Sequence, residues 1–301
     1  MIKIGTLIDV ERPVADAIEQ TKRIKDAGFD SAWANQIFGA DALTLLAVVG
    51  SHVADIELGT AVIPVYPRHP QMLAQQALTV QSATGDRLSL GIGLSHQMVV
   101  EGLWGYSYER PAKYMSEYLE ALLPMLRGEA AMVDGEMLKA ITVGPLDIPS
   151  TEPPSVLVAA LAPRMLQLTG ALTDGTITWM TGISTVASHI GPKIIEAAAA
   201  AGRGAPRIVV SLPVCVTDDP SRARDDIDAD FSIYPTLPSY AAMLEIEGAA
   251  RPADIALVGS REQVLDGIGR LEEAGGTELV AALSGNFAER EETFEFLGAL
   301  R

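Results

Sequence analysis

A serine and a histidine, Ser95 and His96, follow directly on the run Arg87-Leu-Ser-Leu-Gly-Ile-Gly-Leu94, and Trp104, Tyr106 and Tyr108 come soon after. An imidazole can give or take a proton near neutral pH, and a neighbouring hydroxyl can orient it. Leu88–Ile92 reads as a short buried strand. Gly91 and Gly93 carry no Cβ, so a flat ligand could lie against the backbone there. A helix resumes near Pro111, where the missing N–H of proline costs nothing. The same glycines would also suit a plain strand-to-helix connection, so this stretch needs the rest of the chain to give it meaning.

Other chemistries lack their residues. There are four histidines, and neither His-x-His nor His-Glu-x-x-His occurs, so the spacing of a metal hydrolase is missing. No Gly-x-Ser-x-Gly elbow, no phosphate-binding P-loop and no strand-end lysine for Schiff-base chemistry can be found. What remains is rich in amides, aliphatic groups and aromatic rings, the setting a protein supplies when a cofactor does the difficult chemistry.

The elements that must position these residues alternate regularly. Strand-like runs fall at Ile2–Ile8, Asp30–Ala34, Ile56–Ile63, Leu88–Ile92, Ser155–Ala159, Gly175–Trp179, Ile208–Val216 and Thr277–Leu283. Helical patterns fall at Val14–Ala27, Ala42–Val53, Gln71–Ser82, Ala112–Leu126, from near Pro163, Val186–Ala201, Arg261–Ala274 and Glu289–Leu300. Two excursions break the rhythm. Residues 129–154 carry Gly, Pro and Asp and read as a small hairpin. Residues 218–257 are acidic and then proline-broken, and read as irregular helices forming a lid or an interface. Eight strands, each with its helix, predict a single (β/α)8 TIM barrel over residues 1–301, with insertions after the fourth helix and after the seventh strand. A doubly wound open sheet is the alternative, although no Gly-x-Gly-x-x-Gly follows the first strand.

In such a barrel the site lies at the C-terminal ends of the strands. Those ends carry Asp9, Asn35, Gln36, residues 61–64, Ser95, His96, residues 159–164, Trp179, Ser284 and Asn286. Ala159-Ala-Leu-Ala-Pro-Arg-Met165 is the best anion site, because small residues lead into a helix whose first N–H groups and dipole favour a phosphate. Arg164 adds a full charge there; an ordinary helix start with a surface arginine is the alternative. That charge matters, since 22 basic and 39 acidic residues leave a net charge of -17. So acidic a chain is not expected to bind nucleic acid or an anionic membrane. Cys215, the single cysteine, lies in an apolar run and reads as core. No leader and no membrane-length apolar run is visible, so a soluble cytoplasmic protein is expected.

Phe29-Asp-Ser-Ala-Trp33, Leu58-Gly-Thr-Ala-Val-Ile-Pro64, Gly85-Asp-Arg-Leu-Ser-Leu-Gly-Ile-Gly93, Glu117-Tyr-Leu119, Ala159–Met165 and Ala171-Leu-Thr-Asp-Gly-Thr-Ile-Thr-Trp179 occur in series along the chain. With them the chain resembles the luciferase-like monooxygenase superfamily, in its branch of F420-dependent oxidoreductases. The resemblance implies the same barrel, coenzyme F420 as cofactor with FMN as the alternative, and hydride transfer to or from a small, largely apolar organic substrate. It also implies a non-proline cis bond at Ala61–Val62 behind the ring. Ring and phosphate contacts would fall on Asn35, Ala61, Val62, Gly91, Gly93, Ala160, Ala162, Arg164 and Met165. His96, Ser95 and Gln36 would serve the chemistry, with His96 where related dehydrogenases place a glutamate. Asn35-Gln36 stands where relatives place Asp-His, and Ala162-Pro163 where they often place Gly-Pro. Asp9, Trp104, Tyr106, Tyr108 and Trp179 would line the substrate pocket. A homodimer is expected, because the family tends to pair through its second and third helices and Ala42–Val53 is apolar all round. An FMN-dependent monooxygenase using O2, a cofactor-free barrel lyase or isomerase, and a non-catalytic flavin-binding barrel are the competing readings.

Overall fold

The computed structural model describes residues 2–149 and 152–300. In chain order the elements are β1 (Lys3–Leu7), α1 (Val14–Ala27), β2 (Ser31–Ala34), α2 (Ala42–His52), β3 (Glu57–Thr60), β4 (Ile63–Pro64), α3 (Pro70–Thr84), β5 (Leu88–Gly93), α4 (Gln97–Gly102) and α5 (Pro111–Leu126). Then come β6 (Met132–Asp134), β7 (Lys139–Ile141), β8 (Ser155–Val158), α6 (Pro163–Leu172), β9 (Gly175–Trp179), α7 (Ile183–Thr185) and, after a π-helical turn at Val186–Ile190, α8 (Gly191–Ala200). The chain ends with β10 (Arg207–Val216), α9 (Pro220–Asp230), α10 (Pro238–Glu247), β11 (Leu257–Gly259), α11 (Arg261–Glu273), β12 (Glu278–Leu283) and α12 (Phe287–Gly298).

The main sheet runs β11-β10-β12-β1-β2-β3-β5-β8-β9, and β9 pairs back onto β10. The ladder is parallel at β12–β1–β2, at β3–β5–β8 and at β9–β10–β12. β3 and β4 both pair β5 and form two halves of one barrel strand. With β11 set aside, eight strand positions close on themselves, and the fold is the (β/α)8 barrel expected from the alternation. Closure explains the composition: strands covered on both sides read as unbroken aliphatic runs, and β10 is buried from Ile208 to Val216.

The chain divides into two compact units. The first comprises Met1–Ile8, Gln20–Trp33 and Ala160–Arg301; the second comprises Asp9–Glu19 and Ala34–Ala159. In the first unit, Glu278 opens β12 with its side chain 1% exposed. It accepts hydrogen bonds from Ser31 Oγ (2.5 Å), Trp33 Nε1 (2.9 Å) and Arg207 (2.9 Å). In the second unit, the hairpin β6–β7 is antiparallel, as the first excursion suggested. Glu117 of α5 holds it: the buried carboxylate accepts the N–H groups of Glu136, Met137 and Leu138 at 3.1, 2.8 and 3.1 Å. Residues 150 and 151 of that excursion lie outside the described residues.

Several local expectations needed correction. The third strand does not run unbroken from Ile56 to Ile63; it stops at Thr60 and resumes at Ile63, with a cis peptide at Ala61–Val62 between. The stretch between His96 and Pro111 is not all loop, since Gln97–Gly102 forms a helix. The helix expected from Val186 begins at Ile183 and passes through a π turn. The second excursion contains two helices of ten residues or more, and it adds β11 alongside β10. In α2, Ala42, Leu43, Leu45, Leu46 and Val49 are buried within the chain, and Thr44, Ser51 and His52 are exposed. Its apolar girth is thus largely used up by the fold itself. Cys215 is fully buried, as expected, and burial pushes its thiol up to about 11.

Candidate functional site

In the second unit, Asn35 and Gln36 leave the end of β2. Gln36 does not point its amide at open space: Oε1 accepts the Ala42 N–H (3.1 Å) and Nε2 donates to Asp41 (3.3 Å), so the side chain closes the start of α2. Asn35 differs, since its Oδ1 is buried with no hydrogen-bond partner among the described residues. At the first residue of the next barrel strand's break, Ala61 N donates to Ala34 O (2.9 Å), which ties the Ala61–Val62 segment to the end of β2. Ala61 and Val62 stay half-buried where the strand residues around them are fully buried.

Gly91 and Gly93 of β5 serve that segment. A Cβ on Gly91 would overlap the Thr60 carbonyl oxygen, and one on Gly93 would lie 2.8 Å from Val62 Cγ2. Thr60 Oγ1 in turn donates to Gly91 O (2.7 Å) and accepts from Gly91 N (2.9 Å). The room these glycines leave is taken by Thr60 and Val62, which is a different reason from the ligand clearance inferred from the spacing. What the two glycines provide is the room in which the Thr60–Val62 segment packs.

After β5, Ser95 adopts a left-handed backbone (φ 63°), unusual for a residue with a side chain. His96 follows, half-buried, at the start of α4, and burial lowers its pKa below the ordinary histidine value. The other three histidines bond the backbone in structural settings. His52 Nδ1 meets Val48 O (2.8 Å), His69 accepts from Gln71 N and donates to Lys139 O (2.9 Å), and His189 Nε2 meets Leu161 O (2.7 Å).

Of the expected pocket residues, Trp104 is half-buried and Tyr106 is 46% exposed. Asp9 pairs with Arg12 and accepts the Glu11 N–H, which makes it a loop residue engaged with its own neighbours. An aromatic group built on Tyr66 was missed in the sequence. Tyr66 stacks on Tyr114 (centroids 4.3 Å apart, 11° between planes) and meets Tyr108 at 5.7 Å and Tyr106 at 6.4 Å. Tyr108 OH donates to Ser95 O (3.3 Å), so the group braces the loop that carries His96.

In the first unit, residues 160–162 lead into α6. Ala162 caps that helix without any side-chain hydrogen bond, Pro163 occupies its first turn, and Arg164 is exposed beside it. The first N–H groups of α6 thus receive no side-chain acceptor from the cap. Ala160 and Met165 are buried behind them. Trp179 ends β9 and packs edge-on against Phe231 (5.3 Å) and Tyr234 (5.9 Å), both from the second excursion. Beside Trp179, Thr178 Oγ1 is buried without a partner among the described residues. Phe231 and Tyr234 are the sequence signal for this contact, set among the acids and prolines that dominate residues 218–257.

In the second unit, Asn35 Oδ1 has no partner among the described residues and lies just past the C-terminal end of β2, where ligands of this fold bind. Such an atom fits a ligand with a polar group on its edge, and the half-buried Ala61–Val62 segment fits a flat, largely apolar ring.

The profile of the luciferase-like monooxygenase family matches residues 1–278. A protein of Mycobacterium tuberculosis, named as a coenzyme F420-dependent oxidoreductase of inferred activity, is 29% identical over 286 residues, covering 88% of this chain and 79% of that one. The coenzyme F420-dependent tetrahydromethanopterin reductase of Methanopyrus kandleri superposes with a TM-score of 0.84 at 19% identity, covering 99% and 97% of the two chains. The FMN-bound oxygenating constituent of 3,6-diketocamphane monooxygenase from Pseudomonas putida superposes with a TM-score of 0.77 at 16% identity, covering 99% and 97%.

Proposed function

Since the chain belongs to the luciferase-like monooxygenase family, we propose that it is an oxidoreductase acting with the deazaflavin coenzyme F420 on a small, largely apolar organic substrate. The observation that carries this reading is the half-open Ala61–Val62 segment beside the unpaired Asn35 Oδ1, a seat for a flat ring with a polar edge. The 29%-identical relative named for F420 favours that cofactor.

Bound there, the cofactor would supply hydride transfer. The chain's own residues do the rest. Ala61 and Val62 support the ring, Gly91 and Gly93 let them pack, and Asn35 hydrogen-bonds the ring edge. The Ala160–Ala162 loop and the first turn of α6, with Arg164 and Met165, hold the phosphate against the chain's acidic field. His96, kept neutral by burial, takes the substrate proton on an imidazole nitrogen in the oxidative direction. Ser95 orients that imidazole, and Gln36 acts through the start of α2. Trp104, Tyr106, Tyr108 and Trp179 shape the substrate's surroundings, with Asp9 at the rim.

FMN with O2 is the second reading, favoured by the shared fold of the FMN-bound camphane enzyme. Fluorescence titration of the purified protein with F420 and with FMN separates the two, followed by a screen of alcohols and ketones. Tight F420 binding with turnover supports the reading, and refusal of both rings at micromolar levels removes it.

No helix among the described residues is long and apolar enough to cross a membrane, which is consistent with a cytoplasmic location. The whole chain is read as one domain in this proposal, because the family profile runs over residues 1–278 without a break. Self-association as a homodimer has less to rest on than the sequence suggested, since α2 leaves only Ala47 and Val48 as partly open apolar positions.

A further inference from the structure

Tyr66 follows β4 and is anchored next to the end of β5, where Val65 N donates to Gly93 O (3.0 Å). It is 6% exposed. Its ring is fully accounted for by packing on Tyr114, Tyr108 and Tyr106. Its hydroxyl is not: it is buried and has no hydrogen-bond partner among the described residues. Other tyrosines of the group have found theirs, Tyr118 OH on Arg68 O (2.9 Å) and Tyr108 OH on Ser95 O (3.3 Å). A phenylalanine would make every ring contact that Tyr66 makes, without burying an unpaired hydroxyl.

We propose that Tyr66 is a ligand-binding residue whose hydroxyl donates a hydrogen bond to a carbonyl or hydroxyl oxygen of the bound molecule, either a ring carbonyl of the cofactor or the oxygen of the substrate. It rests on the reading of this strand end as a cofactor and substrate site. Burial, with Tyr108, Tyr114 and Glu101 nearby, pushes the Tyr66 phenol well above the ordinary tyrosine range. The group therefore keeps its proton at any physiological pH and acts as a donor. A protonated phenol selects an oxygen acceptor and gives nothing to a purely hydrocarbon ligand.

Tyr66→Phe and wild type are compared in three measurements on the full chain: melting temperature without ligand, fluorescence titration with F420, and titration of the F420-loaded protein with acetone and cyclohexanone. The expected result is a melting temperature equal to or above that of wild type, with either F420 or ketone affinity reduced about three- to tenfold. Loss in the F420 arm identifies the cofactor carbonyl as the acceptor, and loss in the ketone arm alone identifies the substrate oxygen. A melting temperature several degrees lower shows that the hydroxyl already had a partner and overturns the proposal, as do unchanged affinities in both arms. Tyr66→Leu, which removes the ring as well, is expected to lower the melting temperature and so separates packing from hydrogen bonding. If wild type binds neither F420 nor FMN, the functional reading fails, while the melting comparison still decides whether the Tyr66 hydroxyl is unpaired.

Discussion

Val62 occupies the space that a side chain on Gly93 would need: a Cβ there would lie 2.8 Å from Val62 Cγ2. At Gly91 the obstacle is backbone, the Thr60 carbonyl, so the neighbour cannot swing aside. Gly91→Ala is therefore expected to cost about 2–3 kcal/mol and to weaken F420 binding by shifting Ala61, whereas Gly93→Ala costs about 1 kcal/mol. Urea unfolding and a cofactor titration check both. Equal effects at the two positions would argue against this account of the glycines.

At the other end of the strands, Glu278 is the shared acceptor for Ser31, Trp33 and Arg207. Removing it takes away a buried carboxylate that Ser31 Oγ and the Arg207 guanidinium use, while Trp33 Nε1 keeps Ser31 Oγ (2.8 Å). Glu278→Ala is expected to destabilise the fold by about 3–5 kcal/mol. Because β12 begins at Glu278, away from the C-terminal strand ends, cofactor affinity of the folded variant should stay within about twofold of wild type. Thermal unfolding and titration of the same sample separate the two effects.

The barrel was legible because its strands are short aliphatic runs with clear ends. Gly28 and Gly85, both at positive φ, stop α1 and α3 where the sequence placed their ends, to within two residues. What escaped was short or depended on partners far along the chain. Gln97–Gly102 is six residues long, too few to show a helical period. Leu257–Gly259 reads as a strand only once β10 lies beside it. The π turn at Val186–Ile190 shares the periodicity of the helix it interrupts. Gln36 was placed correctly at a strand end, but its amide is engaged by Ala42 and Asp41, and nothing in the local sequence announces that choice. Tyr66 sat within a proline-dense stretch, and its importance depends on rings from α5 and from the loop before it.

Glu117 gives a pH dependence of known sign. Burial works to raise its pKa, but three backbone N–H groups and Lys113 outweigh it, and the carboxyl stays below the ordinary glutamate range. A lowered folded pKa means the carboxylate's stabilisation is complete above the unfolded value and fades as pH falls through the folded one. The β6–β7 hairpin should therefore loosen in acid, read as lower amide protection relative to the intrinsic exchange rate at residues 136–138 below about pH 4. Glu117→Gln is expected to lower that protection already at neutral pH and to remove the pH dependence of the protection factor. Protection that survives in the variant would show that the hairpin does not hang on this carboxylate.

The proton-transfer role proposed for His96 gives a second pH dependence. Burial disfavours the charged imidazolium, so the folded pKa lies below the ordinary value of about 6.5 and the ring is neutral at pH 7. A neutral imidazole is a base. In the oxidative direction kcat/KM should hold steady from pH 8 down to about 6.5 and fall as the ring protonates at lower pH. In the reductive direction the required form is the imidazolium, so the rate should rise over the same interval. His96→Gln keeps the size and hydrogen bonding of the ring's near edge but cannot exchange a proton. It is expected to lower kcat about hundredfold, with F420 affinity unchanged, and to abolish both limbs of the profile. An acid limb that persists in His96→Gln would move the proton transfer to another group.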